Sequence, residues 1–194
     1  MNFLAHIYLS GNNDFVKIGG LMADGIRGKD YENFPKDVQK GIILHRAIDT
    51  FTDAHAIFRT SKHRLHEKYG HYSGVIIDVF YDHFLAKNWS NYSDEKLSSF
   101  VNRFYKSLDD NFEMLTLKTQ NMLPYMKQGN WLYNYQFIEE IERVLFQMDH
   151  RTKHQSDMGH SIKELKEFYT EFEQEFTLFF KELRKFASEK LKTL

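Results

Sequence analysis

Residues Val75 to Leu85 read VIIDVFYDHFL, and this stretch decides the fold. Eight of its eleven side chains are apolar or aromatic; the other three are Asp78, Asp82 and His83. The stretch shows no period-two alternation. Wound at about 100° per residue, Ile76, Ile77, Val79, Phe80, Phe84 and Leu85 cover nearly every direction, and a helix apolar all round is a buried one. Asp78 and Asp82 then stand one turn apart on a single face. Like charges about 6 Å apart repel, and burial disfavours their ionisation. Something must neutralise them: an arginine, a shared proton or a metal cation. His83 adds a nitrogen, directed about 100° away from Asp82.

Outward from this segment, apolar spacing of three and four recurs while strand-type alternation is scarce, and only Pro35 and Pro124 interrupt the chain. The reading is an all-α, single-domain multi-helix bundle spanning 1–194. The run MNFLAHIYLS at 1–10 is ambiguous and fits a short helix. A helix is expected from Asp14 to Ala23, ended by Gly25 and Gly28. Another begins at Pro35, suited to a first turn with Asp37 near the positive end of the dipole, and runs to Ala54. Further helices are expected over 56–69, from Gly74 to Trp89, from Ser93 as N-cap through 108, over 112–123 and over 135–148. One long helix should cover 161–191, where Phe168, Phe172, Phe176 and Phe179 form an apolar stripe on a charge-balanced helix, which marks packing rather than membrane anchoring.

Composition narrows the function classes. A chain of 194 residues with 42% hydrophobic and 16% aromatic content, including 18 Phe, can build a sizeable core. A net charge of −1 advertises neither nucleic acid nor a membrane surface. The absence of cysteine excludes disulfides, thiolate catalysis and Cys-type zinc sites. No apolar run is long enough to span a bilayer and no signal-type start is evident, so a cytoplasmic location is expected.

Polar groups concentrate in two more segments. In GIILHRAIDTFTDAH (41–55), His45, Asp49 and Asp53 recur every fourth residue with Thr52 alongside, while Leu44, Ala47, Ile48 and Phe51 form the opposite arc. His and Asp at that spacing can clasp one cation from one helix. Arg46 beside them can hold an anion bidentately. In LMADGIRG (21–28), Asp24 ends an apolar run and Arg27 sits between two glycines, a pairing able to serve a metal and a phosphate together. His6, in the apolar N-terminal run, is a further candidate, against the alternative of a satisfied core histidine. His63, His66, His71, His150, His154 and His160 fall in polar stretches and read as solvated.

The blocks MNFLAH, GGLMADGIRG, GIILHRAIDTFTDAH and DVFYDHFLAKNW resemble, in order and spacing, the acyl carrier protein phosphodiesterases, distant relatives of the HD-type metal phosphohydrolases. The blocks lie in the first half, 1–90; the segment 91–194 matches as a helical continuation. The resemblance implies an HD-phosphohydrolase-like fold and hydrolysis of the phosphodiester joining 4′-phosphopantetheine to the serine of acyl carrier protein. It implies a divalent metal, Mn2+ or Mg2+, with Asp24, His45, Asp49, Asp78 and Asp82 as site residues and His6 and His83 close by. Asp82-His83 inverts the usual His-Asp order, Leu21 stands where relatives tend to have asparagine, and Ala56 where proline is common. In that reading His45 is a ligand, His83 the general acid, and Arg27 and Arg46 steady phosphoryl charge. Because carrier proteins are acidic, the basic run Arg59, Lys62, Arg64 and Lys68 is the expected docking patch, against the alternative of a solvated helix face. The competing substrate class is a nucleotide or other small phosphodiester. A non-enzymatic helical protein with a structural salt-bridge network is the third reading.

Overall fold

The structure, a computed structural model describing residues 1–194, contains no strand. Eleven α-helices follow one another: α1 (Phe3–Leu9), α2 (Asp14–Met22), α3 (Lys36–Ala54), α4 (Ala56–Tyr69), α5 (Ser73–Lys87), α6 (Leu97–Asp110), α7 (Leu117–Gln128), α8 (Trp131–Asn134), α9 (Ile138–Arg151), α10 (Ile162–Glu167) and α11 (Tyr169–Lys192). The all-α expectation holds. None of these helices is long and apolar enough to cross a membrane.

The decisive stretch becomes α5, and Ile76 to Ala86 are buried save Asp78. It is enclosed by α1, α4, α9 and α11. Helix α11 lays Phe172, Phe176 and Phe179 against it, with Tyr81 and Phe176 edge to face at 5.5 Å. The aromatic load read from composition is thus one continuous core that fixes α5 as the central rod.

Helices α2 and α3 cross unusually closely because two glycines meet there. A Cβ on Gly41 would stand 2.0 Å from the Val16 carbonyl oxygen, and one on Gly19 would stand 2.1 Å from that of Val38. This crossing brings the His45 ring of α3 against the backbone of α2.

Three boundaries differ from the sequence reading. Ser93 does not cap α6: its hydroxyl accepts from the Glu95 amide at 3.2 Å in a local turn, and the helix starts at Leu97. The segment expected over 112–123 is displaced to α7, where the Thr116 hydroxyl accepts from the Thr119 amide at 3.3 Å. The long C-terminal helix is interrupted at Phe168, which leaves helical geometry with φ −109° and ψ 30°. On the near side of the break, Glu164 fastens α10 to the end of α4, accepting from the Tyr69 hydroxyl at 2.7 Å and from Lys68.

That anchor predicts an acid response. Burial pushes the Glu164 carboxyl up, but the Lys68 and Tyr69 donors outweigh it and hold the pKa below its ordinary 4.5. A depressed folded pKa means the stabilisation is complete above the unfolded value and is lost as pH falls through the folded one. Denaturation midpoints of wild type and Glu164→Gln, measured down the acid limb, should therefore converge as the pH drops.

Candidate active site

The site grows from the α2–α3 crossing. His45 Nδ1 donates to the Gly20 carbonyl at 2.8 Å, which fixes the tautomer and turns the Nε2 lone pair outward. That lone pair faces oxygen atoms on both sides: Asp49 Oδ2 at 3.0 Å and Asp24 Oδ1 at 3.2 Å. The other Asp49 oxygen lies 3.2 Å from His6 Nε2, and the His6 ring stacks on His45 with centroids 3.7 Å apart. An unprotonated nitrogen aimed at two carboxylates is repulsive unless a cation stands between them. Either a proton or a metal ion can be that cation. His6, His45 and Asp49 offer three ligand atoms within 4.8 Å of one another, and the Asp24 oxygen borders the same nitrogen. Buried His6 Nδ1 has no hydrogen-bond partner. The donor set, two imidazoles and carboxylates, suits a Mn2+-, Fe- or Zn-type ion, and Mg2+ more weakly because nitrogen is a softer ligand. The residues present fit a metal.

Electrostatics agree. Against burial, which pushes it down, Asp24 and Asp49 raise the His45 imidazole to about 9. Burial above all lowers His6 to about 4. Burial would raise Asp49, but His45 and His6 hold it well below the usual carboxylate range. His45 also holds Asp24 low.

The cluster opens into a cavity of about 400 Å³. Asp24, His45, Asp49, Asp53 and Asp78 lie on one side; Val75, Val79, Trp131, Tyr135, Val144 and Met148 form an apolar wall; Arg151 supplies a cation. The buried Thr52 hydroxyl also lines it and has no protein partner. The size is that of a small-molecule site.

Several residues expected at the site sit elsewhere. Asp82 is not beside the cluster: its oxygens accept from the Leu4 amide at 2.7 Å and the Ala5 amide at 3.2 Å. It caps α1 from α5, serving amides that Asn2 leaves uncapped. Burial raises its carboxyl to about 7 against the pull of the Met1 ammonium and those amides. Asp78 does reach the cavity, but its neutralising partner is the Met1 α-amino group at 2.8 Å. The two aspartates of the decisive stretch therefore have different partners. His83, expected as the general acid, spends both nitrogens within the fold: Nδ1 donates to the Tyr135 carbonyl at 2.8 Å and Nε2 meets the Tyr169 hydroxyl at 2.8 Å, and the residue is not part of the cavity lining. Arg46 donates to the carbonyls of Gly28 and Ile26, both at 2.8 Å, so it clamps the Asp24 loop rather than a phosphate. Arg27 is exposed on that loop and outside the cavity lining. In the expected docking run, Arg64 pairs with Glu175 at 2.7 Å, Lys68 with Glu164, and Arg59 donates to the Asp53 carbonyl at 3.1 Å. Neither these three nor Lys62 lines the cavity.

One consequence is measurable. Asp82→Ala leaves two buried amides unpaired, at a cost of about 3 kcal/mol, yet should leave the metal content of the purified protein unchanged. Loss of metal with unaltered stability would return Asp82 to the ligand set.

The family model described as acyl carrier protein phosphodiesterase matches residues 1–183. The chain belongs to this family. Curated relatives, all named acyl carrier protein phosphodiesterase, include that of Photorhabdus laumondii, 29% identical over 93% of this chain and 91% of its own. That of Klebsiella pneumoniae (strain 342) is 30% identical, and that of Shigella boydii serotype 18 is 31% identical, each over 98% of this chain and 99% of its own. Family membership makes the chain a hydrolase acting on a phosphodiester. No solved structure matches it.

The sequence reading missed Trp131, Gln147 and Arg151. On α9, Val144, Met148 and Arg151 lie at i, i+4 and i+7, a stripe beside the core stripe of Ile141 and Leu145. A cation ending a half-apolar stripe was the available signal, but the segment carried no block of the family pattern.

Proposed function

We propose that the protein removes 4′-phosphopantetheine from holo acyl carrier protein, hydrolysing the phosphodiester to the carrier serine with the help of a divalent ion, and does so in the cytoplasm as part of carrier-protein turnover in fatty-acid synthesis. The observation that carries this reading is the His45 nitrogen locked by Gly20 and aimed between Asp24 and Asp49, at the floor of a cavity with an apolar wall. His45, Asp49, Asp24 and His6 would hold the ion, which supplies charge neutralisation and activation of water when bound. The protein's own groups position the diester. Arg151 is the cation available to a phosphoryl oxygen, and the unpartnered Thr52 hydroxyl can donate to another. The apolar wall excludes water from the back of the site. With His83 engaged elsewhere, the departing serine oxygen takes its proton from solvent at the open side of the site.

Elemental analysis of the purified protein followed by mass spectrometry of holo carrier protein tests this. The expected result is bound metal and a carrier lighter by the arm. A metal-loaded protein that leaves the carrier mass unchanged while cleaving nucleotide diesters would establish the competing substrate class, for which the indole face of Trp131 is the one supporting feature.

A further inference from the structure

A second cavity, of about 710 Å³, adjoins the first and shares Trp131, Val144, Gln147 and Arg151 with it. The two form one trough with a four-residue throat, and the character of the walls changes along it. The metal end carries Asp24, Asp49, Asp53 and Asp78. The far end, between α7 and α9, carries no aspartate; its charged groups are Lys118 and the pair of Glu140 with Arg143 at 3.1 Å. It offers instead three exposed side-chain amides, Asn121, Gln128 and Gln147.

The throat is shaped by the backbone. A Cβ on Gly129 would stand 2.6 Å from the Trp131 indole nitrogen, so only glycine lets the indole lie against the chain there. Asn130 follows with φ 43° in the left-handed region, and the Asn134 amide closes the turn onto the Gly129 carbonyl at 2.9 Å. These features set the indole as a fixed wall opposite Val144.

We propose that this second cavity is the subsite for the pantetheine arm, which would pass from the phosphate through the Trp131–Val144 throat with its amide groups facing Asn121, Gln128 and Gln147. The inference rests on the function proposed above. The arm's chemistry follows the walls in order. It starts at a phosphate, where Arg151 stands; continues through a carbon bearing two methyl groups, suited to Trp131 and Val144; and ends in an uncharged chain with two amide bonds. Amides pair with amides, donor to acceptor and acceptor to donor.

The test uses manganese-loaded full-length protein with two substrates, holo carrier protein and bis(p-nitrophenyl) phosphate, which has no arm. Met122→Trp, at a position that lines the second cavity and not the first, fills the far end and should lower kcat/KM on holo carrier protein by about 20-fold or more, while turnover of the small diester stays within about twofold. Gln147→Ala should raise KM for the carrier about fivefold with kcat unchanged, a loss of one hydrogen bond. Calorimetry with pantetheine itself should show binding to wild type and none to Met122→Trp. Retained small-diester activity certifies that each variant is folded. The proposal is overturned if Met122→Trp handles the carrier like wild type, if both substrates suffer equally, or if pantetheine binds both proteins alike. A wild-type enzyme active on the small diester but inert toward holo carrier protein would instead sink the proposed function itself.

Discussion

Asp49→Asn should lower kcat/KM on holo carrier protein by about 1,000-fold or more and release the bound metal, while the fold stays intact. The substitution is nearly isosteric, and the amide can still accept a hydrogen bond. What it removes is the negative charge that touches both imidazoles, His45 at 3.0 Å and His6 at 3.2 Å. If the ion is held there, that charge offsets much of its own, and a neutral amide in its place leaves Asp24 as the only carboxylate beside His45. The side chain is 42% exposed, so little packing is lost and the stability change should be small. This separates catalysis from architecture. A purely structural salt-bridge cluster predicts the reverse: no metal in wild type, no change in any activity, and a measurable fall in melting temperature. Elemental analysis, the holo-to-apo assay and a thermal melt on the same preparation decide between them. His45→Gln is the companion variant, since it should lose metal for a second reason, the broken link to Gly20.

The segments that proved legible share one property: their meaning depends on neighbours in sequence. Burial of α5 on all sides followed from its composition, and the His45–Asp49 pairing followed from a spacing of four on a helix. Asp24 joined them through the family's block pattern. What failed depended on partners far along the chain. Asp82 finds Leu4 and Ala5 some seventy-eight positions away, and nothing local distinguishes a carboxylate that caps a distant helix from one that binds an ion. His83 was read as reactive because it follows an aspartate, yet one residue of helix turns it away to Tyr135 and Tyr169. Arg64 and Lys68 form a basic run only until Glu175 and Glu164 arrive from the C-terminal helices. The same half of the chain supplies Trp131, Gln147 and Arg151. A half without recognisable blocks thus supplies much of the cavity lining.

Gly41→Ala should destabilise the protein by about 3 kcal/mol or more, a large effect for one added methyl. The added carbon would meet the Val16 carbonyl oxygen at 2.0 Å, the Gly20 nitrogen at 2.8 Å and the Gly19 Cα at 2.9 Å, all backbone atoms of α2. Backbone cannot rotate aside as a side chain can, so the two helices must part along their crossing. Alanine's better helix propensity returns about 1 kcal/mol, which is too little to offset a separation felt by Val16, Val38 and Ile42 in the core. For a chain of this length the net loss corresponds to roughly 6–12 °C in melting temperature. Gly74→Ala is the matched control: it adds the same carbon to α5, where the nearest neighbour is the flexible Lys62 side chain at 3.6 Å, and should melt like wild type. The effect should reach the site as well. His45 takes its orientation from the Gly20 carbonyl across this crossing, so parting the helices loosens the nitrogen that faces Asp24 and Asp49. Metal affinity should fall in Gly41→Ala and not in Gly74→Ala. If Gly41→Ala instead melts like wild type and keeps its metal, the close crossing does not position the site.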